Sequence, residues 1–436
     1  MMAKFLLACW PFAGHISPFM SLALALGERG HDVAFYTGST AQPLVEASGF
    51  TCFPFERVSE ARATKSMISM DTAAPSGRPE AGNVLQIFRD WLVETIPDQL
   101  ADLEPIIADW RPDVIVSETA MWGPILVLSE SGRTPVAIMS TLLGCLTPGA
   151  DAPPAGFGMA PPRTAGARLV AGAINGMTEI AGRRLRARVN EIRANYGLPA
   201  LDTSMNRFTG RLPLYLIGSL PELDYNRKDL PASVHYLGPM VWHPPAISTD
   251  PEWLGTIPTE RPWVHVTEST LSYGDPFVLR AAAQGLAGLP MEVILTSGRQ
   301  RSIADLNLGD LAQNIHTADW INHDTLLPRC AAMVTTGGAG TLMSALRAGV
   351  PLVVVPTTWD KPDNARRIVD AGVGIRLPAK RCTPAGLRAA VGEVISKPRY
   401  RANALSLAQR LAAAPGPAHA AELLEELAPA SVTMAN

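Results

Sequence analysis

A glycine-rich run in the second half of the chain has the composition of a phosphate-binding turn. It reads Thr336-Gly337-Gly338-Ala339-Gly340-Thr341 and lies between a short apolar strand and a predicted helix. Glycine lets the backbone approach a ligand closely, and the amides and dipole of a helix N-terminus attract an anion. The spacing fits neither G-x-G-x-x-G nor G-x-x-x-x-G-K-[ST]. A tight strand-to-helix turn that binds nothing is therefore an equally good interpretation of these residues alone.

His15 is the residue in the first half that could move a proton. It follows a predicted strand over residues 4–10, in the turn Pro11-Phe12-Ala13-Gly14-His15. A histidine at the carboxyl end of such a strand lies at the rim of a parallel sheet, and its ordinary pKa is close to working pH. It could deprotonate an acceptor hydroxyl if a second group held it in one tautomer. The alternative is a histidine that only shapes the turn.

The elements that must position these residues alternate between strands and helices. In the first half, strands are predicted over residues 4–10, 32–37, 113–116 and 135–139, and helices over 18–29, 122–131 and 169–195. Strand–helix–strand units imply a parallel sheet covered by helices on both faces. Residues 57–78 and 140–166 are rich in Pro, Gly, Ala and Met, and we predict that they are irregular and line a pocket.

A proline-rich stretch over residues 234–262 is predicted to be a linker between two α/β halves. After it, strands are predicted over residues 263–266, 292–296, 315–320, 333–335 and 352–355. We therefore predict two Rossmann-like domains, 1–233 and 263–414, that face each other across a cleft, and a C-terminal segment 415–436 whose helix packs back on the first domain. Ligands of open parallel sheets bind at the carboxyl ends of the strands, so this cleft suits a reaction of two substrates.

Composition limits the class of protein. The chain has 436 residues, of which 47% are hydrophobic and 18% charged, which suits packed domains and excludes a disordered or coiled-coil protein. The net charge is -3 and no long run of like charge occurs, so neither nucleic acid nor an anionic membrane is an expected partner. Five scattered cysteines without a C-x-x-C pair argue for a reducing compartment. Without an apolar run of about 20 residues, no membrane span is expected and the predicted location is cytoplasmic.

Three motifs around the glycine run resemble the donor-binding signature of family 1 glycosyltransferases. They are 319–323 (Asp-Trp-Ile-Asn-His), 348–356 (Ala-Gly-Val-Pro-Leu-Val-Val-Val-Pro) and 359–365 (Trp-Asp-Lys-Pro-Asp-Asn-Ala). In the first half, residues 14–18 (Gly-His-Ile-Ser-Pro) resemble the G-H-x-x-P turn of the same family. Members are GT-B enzymes that move a sugar from a nucleoside diphosphate to a small hydroxylated acceptor. The sequence is most similar to the bacterial natural-product enzymes that act on macrolides and polyketides.

The resemblance implies a donor site in the second half. It places Trp320 against the uracil or thymine base, where stacking is worth roughly 1–3 kcal/mol, and Asp360 on the sugar hydroxyls. The other implied donor-binding residues are Thr270, His323, Thr336, Gly338, Gly340, Thr341, Lys361 and Asn364. No D-x-D pair is present to hold a metal on the diphosphate, so we expect neither a metal nor a cofactor beside the UDP- or dTDP-sugar.

The resemblance also assigns the acid–base chemistry to the first half. His15 has the position of the catalytic base, and Glu118 has the position of the acid that orients it, where the family has Asp. For Glu118 the alternative is a carboxylate that caps the next helix. The apolar side chains that could line an acceptor pocket, or simply pack in the core, are Phe12, Met67, Trp91, Leu142 and Phe157.

Several positions depart from the family pattern. Thr336 replaces a His, Ser344 a Glu that often binds ribose, and Lys361 and His323 each replace a Gln. The donor sugar and base stay open, with glucose the expected sugar, and the oligomeric state is open too. The predicted function is an inverting transfer to a hydroxyl of a small apolar or aromatic natural product. The alternatives are a sugar-nucleotide epimerase or hydrolase on the same fold, and a non-catalytic auxiliary of a glycosyltransferase.

Overall fold

The computed structural model describes residues 2–71, 81–132, 134–242, 250–268, 274–298 and 301–428. The first half folds around a seven-stranded, fully parallel sheet with strand order β3-β2-β1-β4-β5-β6-β7. Its strands are β1 (Lys4–Ala8), β2 (Asp32–Thr37), β3 (Thr51–Pro54), β4 (Val114–Glu118), β5 (Val136–Ser140), β6 (Tyr215–Ile217) and β7 (Val234–Tyr236).

The second half contains a six-stranded parallel sheet with strand order β10-β9-β8-β11-β12-β13. Its strands are β8 (Trp263–Thr267), β9 (Glu292–Thr296), β10 (Ile315–Ala318), β11 (Cys330–Thr335), β12 (Leu352–Val354) and β13 (Gly374–Arg376). The predicted class, two Rossmann-like α/β sheets, is therefore confirmed.

Helices cover both faces of each sheet. In the first half they are α1 (Ala13–Glu28), α2 (Gln42–Ala47), α3 (Glu60–Asp71), α4 (Ala81–Phe88), α5 (Ile96–Trp110), α6 (Ser129–Ser131), α7 (Ala165–Ala181), α8 (Arg183–Asn195) and α9 (Met205–Phe208). In the second they are α10 (Phe277–Gly285), α11 (His323–Leu326), α12 (Ala339–Arg347), α13 (Lys361–Asp370), α14 (Pro384–Ser396), α15 (Pro398–Ala412) and α16 (Gly416–Glu425). Among the described residues, no helix is long and apolar enough to cross a membrane.

The first sheet separates two hydrophobic cores. In β1, Leu6 and Ala8 enter one core while Phe5 and Leu7 enter the other, and all four are fully buried. A strand buried on both faces is a continuous apolar run, which is why β1 could be recognised from the sequence. The carboxyl end of β1 thus leads from a rigid core directly into the segment that carries His15.

The predicted end of the turn over residues 11–15 is wrong, because α1 already begins at Ala13. Phe12 has extended backbone, and its carbonyl accepts hydrogen bonds from the amides of His15 and Ile16 at 2.8 and 2.9 Å. The prediction placed the helix start at Pro18, because the apolar residues with helical spacing begin at Phe19. Pro18 instead lies inside α1, at the expense of one backbone hydrogen bond. His15 is consequently held by the first turn of a helix.

Three other boundaries needed correction. Residues 57–78 are not irregular throughout, since α3 forms and buries Ala63, Met67 and Met70 at helical spacing; residues 72–80 lie outside the described part. The helix predicted over 169–195 is two helices, α7 and α8, that meet at Gly182. The predicted linker 234–262 starts too early, because β7 pairs with β6 at the edge of the first sheet.

The C-terminal helix α16 lies against α1 of the first half. Ala420, Ala421 and Leu424 of α16 are fully buried in a core of the first sheet. At its end, Glu425 accepts hydrogen bonds from Arg29 at 2.7 Å and from His31 Nε2 at 2.6 Å. The chain therefore returns to its first domain after completing the second.

Candidate active site

The carboxyl ends of two neighbouring strands bring His15 and Glu118 together. His15 lies in the first turn of α1, just after β1, and Glu118 is the last residue of β4, which pairs with β1. The His15 Nδ1 atom is 2.9 Å from Oε1 and 2.8 Å from Oε2 of Glu118. Glu118 is fully buried, and its Oε2 also accepts the backbone amide of Trp10 at 3.2 Å. The carboxylate is therefore held from two sides.

This contact determines the tautomer of His15. A carboxylate only accepts hydrogen bonds, so Nδ1 carries the hydrogen and Nε2 is the nitrogen that can take a proton. Burial alone would lower the pKa of His15, but the charge and hydrogen bond of Glu118, together with the charge of Asp360, outweigh it and the pKa is raised from its ordinary 6.5. The arrangement is that of a general base backed by an acid.

The glycine run before α12 has the geometry of an open anion site. Gly337 has a φ of 99°, and a Cβ there would lie 2.9 Å from a methyl carbon of Val354, so this position requires glycine. Gly338 caps α12 without any side-chain hydrogen bond, and a Cβ built on Gly338 or Gly340 would meet no atom within 4 Å. The first amides of the helix are thus approachable, and Thr341 lies half-buried beside them.

Thr336 adds an unsatisfied hydroxyl to this turn. Its side chain is 3% exposed, and its Oγ1 has no hydrogen-bond partner among the described residues. A buried hydroxyl without a partner costs about 1–3 kcal/mol, and an oxygen-rich ligand would satisfy it. Ser344, by contrast, turns its hydroxyl to the carbonyl of Gly340 at 3.0 Å. Thr336, which replaces the His of the family pattern, therefore still offers a donor, whereas Ser344 is bonded to its own helix.

Asn364 ties the glycine turn to the acidic residue at the start of α13. It is fully buried, and its Nδ2 donates to the carbonyl of Gly337 at 2.9 Å and to Asp360 Oδ2 at 2.8 Å. Burial raises the pKa of Asp360, with the hydrogen bond from Asn364 and the charge of Lys361 acting in the other direction. Lys361 is itself buried and donates from Nζ to Thr357 at 3.0 Å. Asp360 is thus fixed relative to the turn.

A series of aromatic rings connects Trp359, the neighbour of Asp360, with His15. Trp359 has the left-handed φ of 58° and contacts Trp91 of the first half, with ring centroids 5.4 Å apart. Trp91 lies 5.8 Å from Trp10, which stacks on Phe12 at 6.5 Å, and Phe12 meets the His15 ring edge-on at 5.4 Å. The sequence analysis gave Trp359 and Trp10 no role, although both lie beside assigned residues. The rings bring the two halves into contact beside His15.

The loop after β5 is anchored to α13 by Asp363. Its carboxylate accepts the backbone amides of Gly156 at 2.6 Å and Gly158 at 2.7 Å, and Asp363 is buried. Gly158 has a φ of 61°, and its carbonyl accepts a hydrogen bond from Arg376 at 3.1 Å. Phe157, a predicted acceptor-lining residue, lies between the two anchored glycines. The sequence analysis missed Asp363, since its partners are about 200 residues away.

A buried ion pair forms a third connection between the halves. Arg367 of α13 donates to Asp224 at 3.1 Å, and Asp224 also accepts the amide of Cys145 at 2.9 Å and the Tyr236 hydroxyl at 2.6 Å. Arg367 also approaches Oδ1 of Asn364 at 3.5 Å. The helix that carries Asp360 is therefore oriented by groups of the first half.

The residues that the family resemblance assigns to the nucleobase follow β10, an edge strand of the second sheet. Trp320 is half-buried in the connection between β10 and α11, and His323 is the first residue of α11. The His323 ring meets the fully buried His265 edge-on, with centroids 5.4 Å apart. The sequence analysis left His265 without a role. Its Nε2 atom forms a hydrogen bond with the Thr296 hydroxyl at 3.0 Å. Burial and the charge of His323 lower the pKa of His265 well below 6.5.

The remaining predicted site residues lie in different environments. Met67, Trp91 and Phe12 are buried in one hydrophobic core of the first sheet, while Leu142 is half-buried in the loop after β5. Thr270 lies outside the described residues. Within the part of the chain that is described, no group of three or more His, Cys, Asp or Glu side chains comes together as a metal site would require.

The chain is similar to known proteins in sequence and in fold. Residues 281–427 match the family described as the C-terminal domain of erythromycin biosynthesis protein CIII-like proteins. The chain is 32% identical over 429 residues to 4'-demethylrebeccamycin synthase of Lentzea aerocolonigenes, covering 98% of this chain and 99% of that one. The solved glycotransferase of kitacinnamycin superposes with a TM-score of 0.74 at 23% identity, covering 98% and 100%. Spinosyn rhamnosyltransferase SpnG complexed with thymidine diphosphate superposes with 0.70 at 21% identity, covering 97% and 100%.

The two parallel sheets and these solved structures define a two-domain GT-B protein. The 32% identity to 4'-demethylrebeccamycin synthase, which extends over nearly the full length of both chains, shows the family as well as the fold. The chain belongs to the GT-B natural-product glycosyltransferases of family 1 and is a glycosyltransferase of natural-product biosynthesis.

Proposed function

We propose that the protein transfers a sugar, with glucose expected, from a UDP- or dTDP-sugar to a hydroxyl of a small apolar or aromatic natural product, with inversion at the anomeric carbon. The observation that carries this proposal is the buried pairing of His15 Nδ1 with Glu118 at 2.8 Å. It leaves Nε2 as the atom that accepts a proton, as a general base requires.

In the proposed step, Nε2 of His15 takes the proton of the acceptor hydroxyl. The oxygen forms its bond to the anomeric carbon from the face opposite the diphosphate, while the bond from that carbon to the diphosphate oxygen breaks. The electron pair of the broken bond leaves with the nucleoside diphosphate. Glu118 keeps the ring oriented and stabilises the imidazolium that forms.

The glycine turn is proposed to receive the leaving group. The first amides of α12 and the Thr336 hydroxyl are donors that the protein itself does not satisfy with side chains, and donors of this kind stabilise developing negative charge. Trp320 and His323 are proposed to bind the nucleobase, and Asp360 is proposed to bind the sugar. The other residues proposed to surround the diphosphate and the sugar are Gly338, Gly340, Thr341, Lys361 and Asn364. A nucleoside diphosphate donor is supported by the thymidine diphosphate bound to SpnG, a protein of the same fold.

The acceptor is proposed to be apolar because aromatic side chains lie beside His15. Phe12 contacts the His15 ring, and Trp91 lies two rings further on, against Trp359 of the donor side. Aromatic faces of this kind suit a flat, weakly polar acceptor. The anchored loop that carries Phe157 and Leu142 is proposed to close the same pocket.

Incubation with radiolabelled UDP-glucose or dTDP-glucose and a panel of phenolic acceptors tests the proposal. The wild type and a His419→Ala control, which removes an exposed histidine that pairs with Glu422 at 3.0 Å, should form a glycoside. His15→Ala should lower kcat about 10²- to 10⁴-fold. Turnover retained in His15→Ala would eliminate His15 as the base. Release of nucleoside diphosphate in the absence of an acceptor would favour the sugar-nucleotide epimerase or hydrolase. If the wild type shows no turnover at all, the result would favour the non-catalytic auxiliary of a glycosyltransferase.

A further inference from the structure

Helix α7 exposes an unusual amount of apolar surface. Leu169 is 77% exposed, Ile180 59%, Met177 61% and Val170 52%, and these four side chains are named here the α7 apolar face. Ala171 is the only buried residue of this fully described 17-residue helix. Scattered apolar residues are normal on a surface, but four large ones on a single helix indicate a binding surface.

The four side chains form one continuous stripe. At 3.6 residues per turn, Leu169, Ile180, Met177 and Val170 lie within about 100° of the helix circumference, on the side away from Ala171. The helix also contains glycines, which lower helix stability by about 1 kcal/mol each, and an isolated helix of this length is marginal in water. A surface that covered the α7 apolar face would supply the missing stabilisation.

Basic residues lie at both ends of this stripe. Arg163 is exposed just before α7, and Arg183 and Arg184 are exposed just after it, at the start of α8. Arg168 is exposed on α7 itself, on the side of the helix away from the stripe. The exposed carboxylate of α7, Glu179, lies 3.8 Å from Arg186. The whole chain carries a net charge of -3, so this local excess of positive charge runs against the composition. An apolar stripe flanked by arginines is complementary to an anionic lipid surface, which offers acyl chains beside phosphate groups.

We propose that α7 binds an anionic membrane surface, with its apolar face among the acyl chains and Arg163, Arg183 and Arg184 at the lipid phosphates. Arg183 and Arg184 are neighbours in the chain, in the basic segment 183–188 (Arg-Arg-Leu-Arg-Ala-Arg), which is too short to stand out in the charge pattern of the whole sequence. Helix α7 begins seven residues after Gly158, which Asp363 holds next to Asp360. Binding would therefore bring the acceptor-side loop close to the lipid phase in which apolar molecules dissolve.

Vesicle co-sedimentation of the full chain, without donor or acceptor, tests this proposal independently of the transfer reaction. The protein should bind vesicles of phosphatidylcholine and phosphatidylglycerol in equal amounts, less at high salt, and should not bind phosphatidylcholine alone. The double variant Leu169→Ser, Ile180→Ser should bind at least about tenfold more weakly. Arg183→Gln and Arg184→Gln should each weaken binding about fivefold.

Leu405→Ser is the matched control, since Leu405 is 45% exposed on α15 of the other half, and its binding should equal that of the wild type. Circular dichroism should show all variants folded, because every changed side chain is exposed. Absence of binding to the anionic vesicles, or binding that the Leu169→Ser, Ile180→Ser variant retains, overturns the proposal. A concentration-dependent dimer in sedimentation velocity that this variant abolishes would show instead that a second copy covers the helix.

Discussion

The His15–Glu118 pair and the glycine turn before α12 differ in how far the protein itself satisfies their polar groups. Glu118 is fully buried and accepts hydrogen bonds from His15 and from the amide of Trp10. The turn has no side-chain cap at Gly338, and the Thr336 hydroxyl has no partner among the described residues. The His15–Glu118 pair is thus complete within the protein, whereas the turn keeps donors that only a bound group could satisfy.

Glu118→Gln should have the largest effect, because it removes the negative charge from the complete pair while keeping its size. Without the carboxylate, His15 loses the group that selects its tautomer and stabilises its protonated form. We expect kcat to fall on the order of 10²- to 10⁴-fold, measured as glycoside formation at saturating donor and acceptor. An unchanged kcat would mean that Glu118 only shapes the helix start.

The pH profile separates these two roles of Glu118. The base form of His15 is neutral, so the wild-type rate should rise with pH through a pKa above 6.5 and fall about tenfold per unit below it. In Glu118→Gln the burial of His15 is no longer opposed by the carboxylate, so this limb should move to lower pH. A limb that stays in place would assign the wild-type pKa to another group.

Asn364→Leu should have the next largest effect, since it removes the donor that links the Gly337 carbonyl to Asp360. Both acceptors would be left buried without a partner, which costs about 1–3 kcal/mol of unfolding free energy. Because Asp360 is proposed to hold the sugar, the KM for the donor should rise about tenfold or more while the KM for the acceptor stays constant. Initial rates against each substrate and urea unfolding measure the two effects.

Thr336→Val should separate ligand binding from stability. The unpartnered hydroxyl is lost and the shape is kept, so the ligand-free protein should be as stable as the wild type or slightly more stable. Binding of UDP or dTDP, measured by calorimetry, should weaken about tenfold, as expected for one hydrogen bond to a charged group. Unchanged binding together with lower stability would show that the hydroxyl serves the fold.

Asp363→Asn should have the smallest effect, because one of two amide contacts to the acceptor-side loop survives. The KM for the acceptor should rise about three- to fivefold with the donor KM unchanged. Asp370→Asn is the control on the same helix, where the carboxylate pairs with Arg366. Equal effects of the two substitutions would mean that the acceptor loop does not depend on Asp363.

Local patterns in the chain determined the two parallel sheets and the positions of the glycine turn and His15. A fully buried strand is a continuous apolar run, and a turn with positive φ favours glycine, so β1, β2 and Gly337 are visible in the sequence. The helix α3 was missed although Ala63, Met67 and Met70 carry its spacing, because the Gly- and Pro-rich residues after it dominated the composition of the segment.

Only the tertiary structure decided which of these groups meet. Asp363 contacts Gly156 and Gly158, and Arg367 contacts Asp224, across separations that no local pattern encodes. Periodicity and turn chemistry act between near neighbours in the sequence, whereas burial and electrostatics act between near neighbours in space, and the fold alone relates the two.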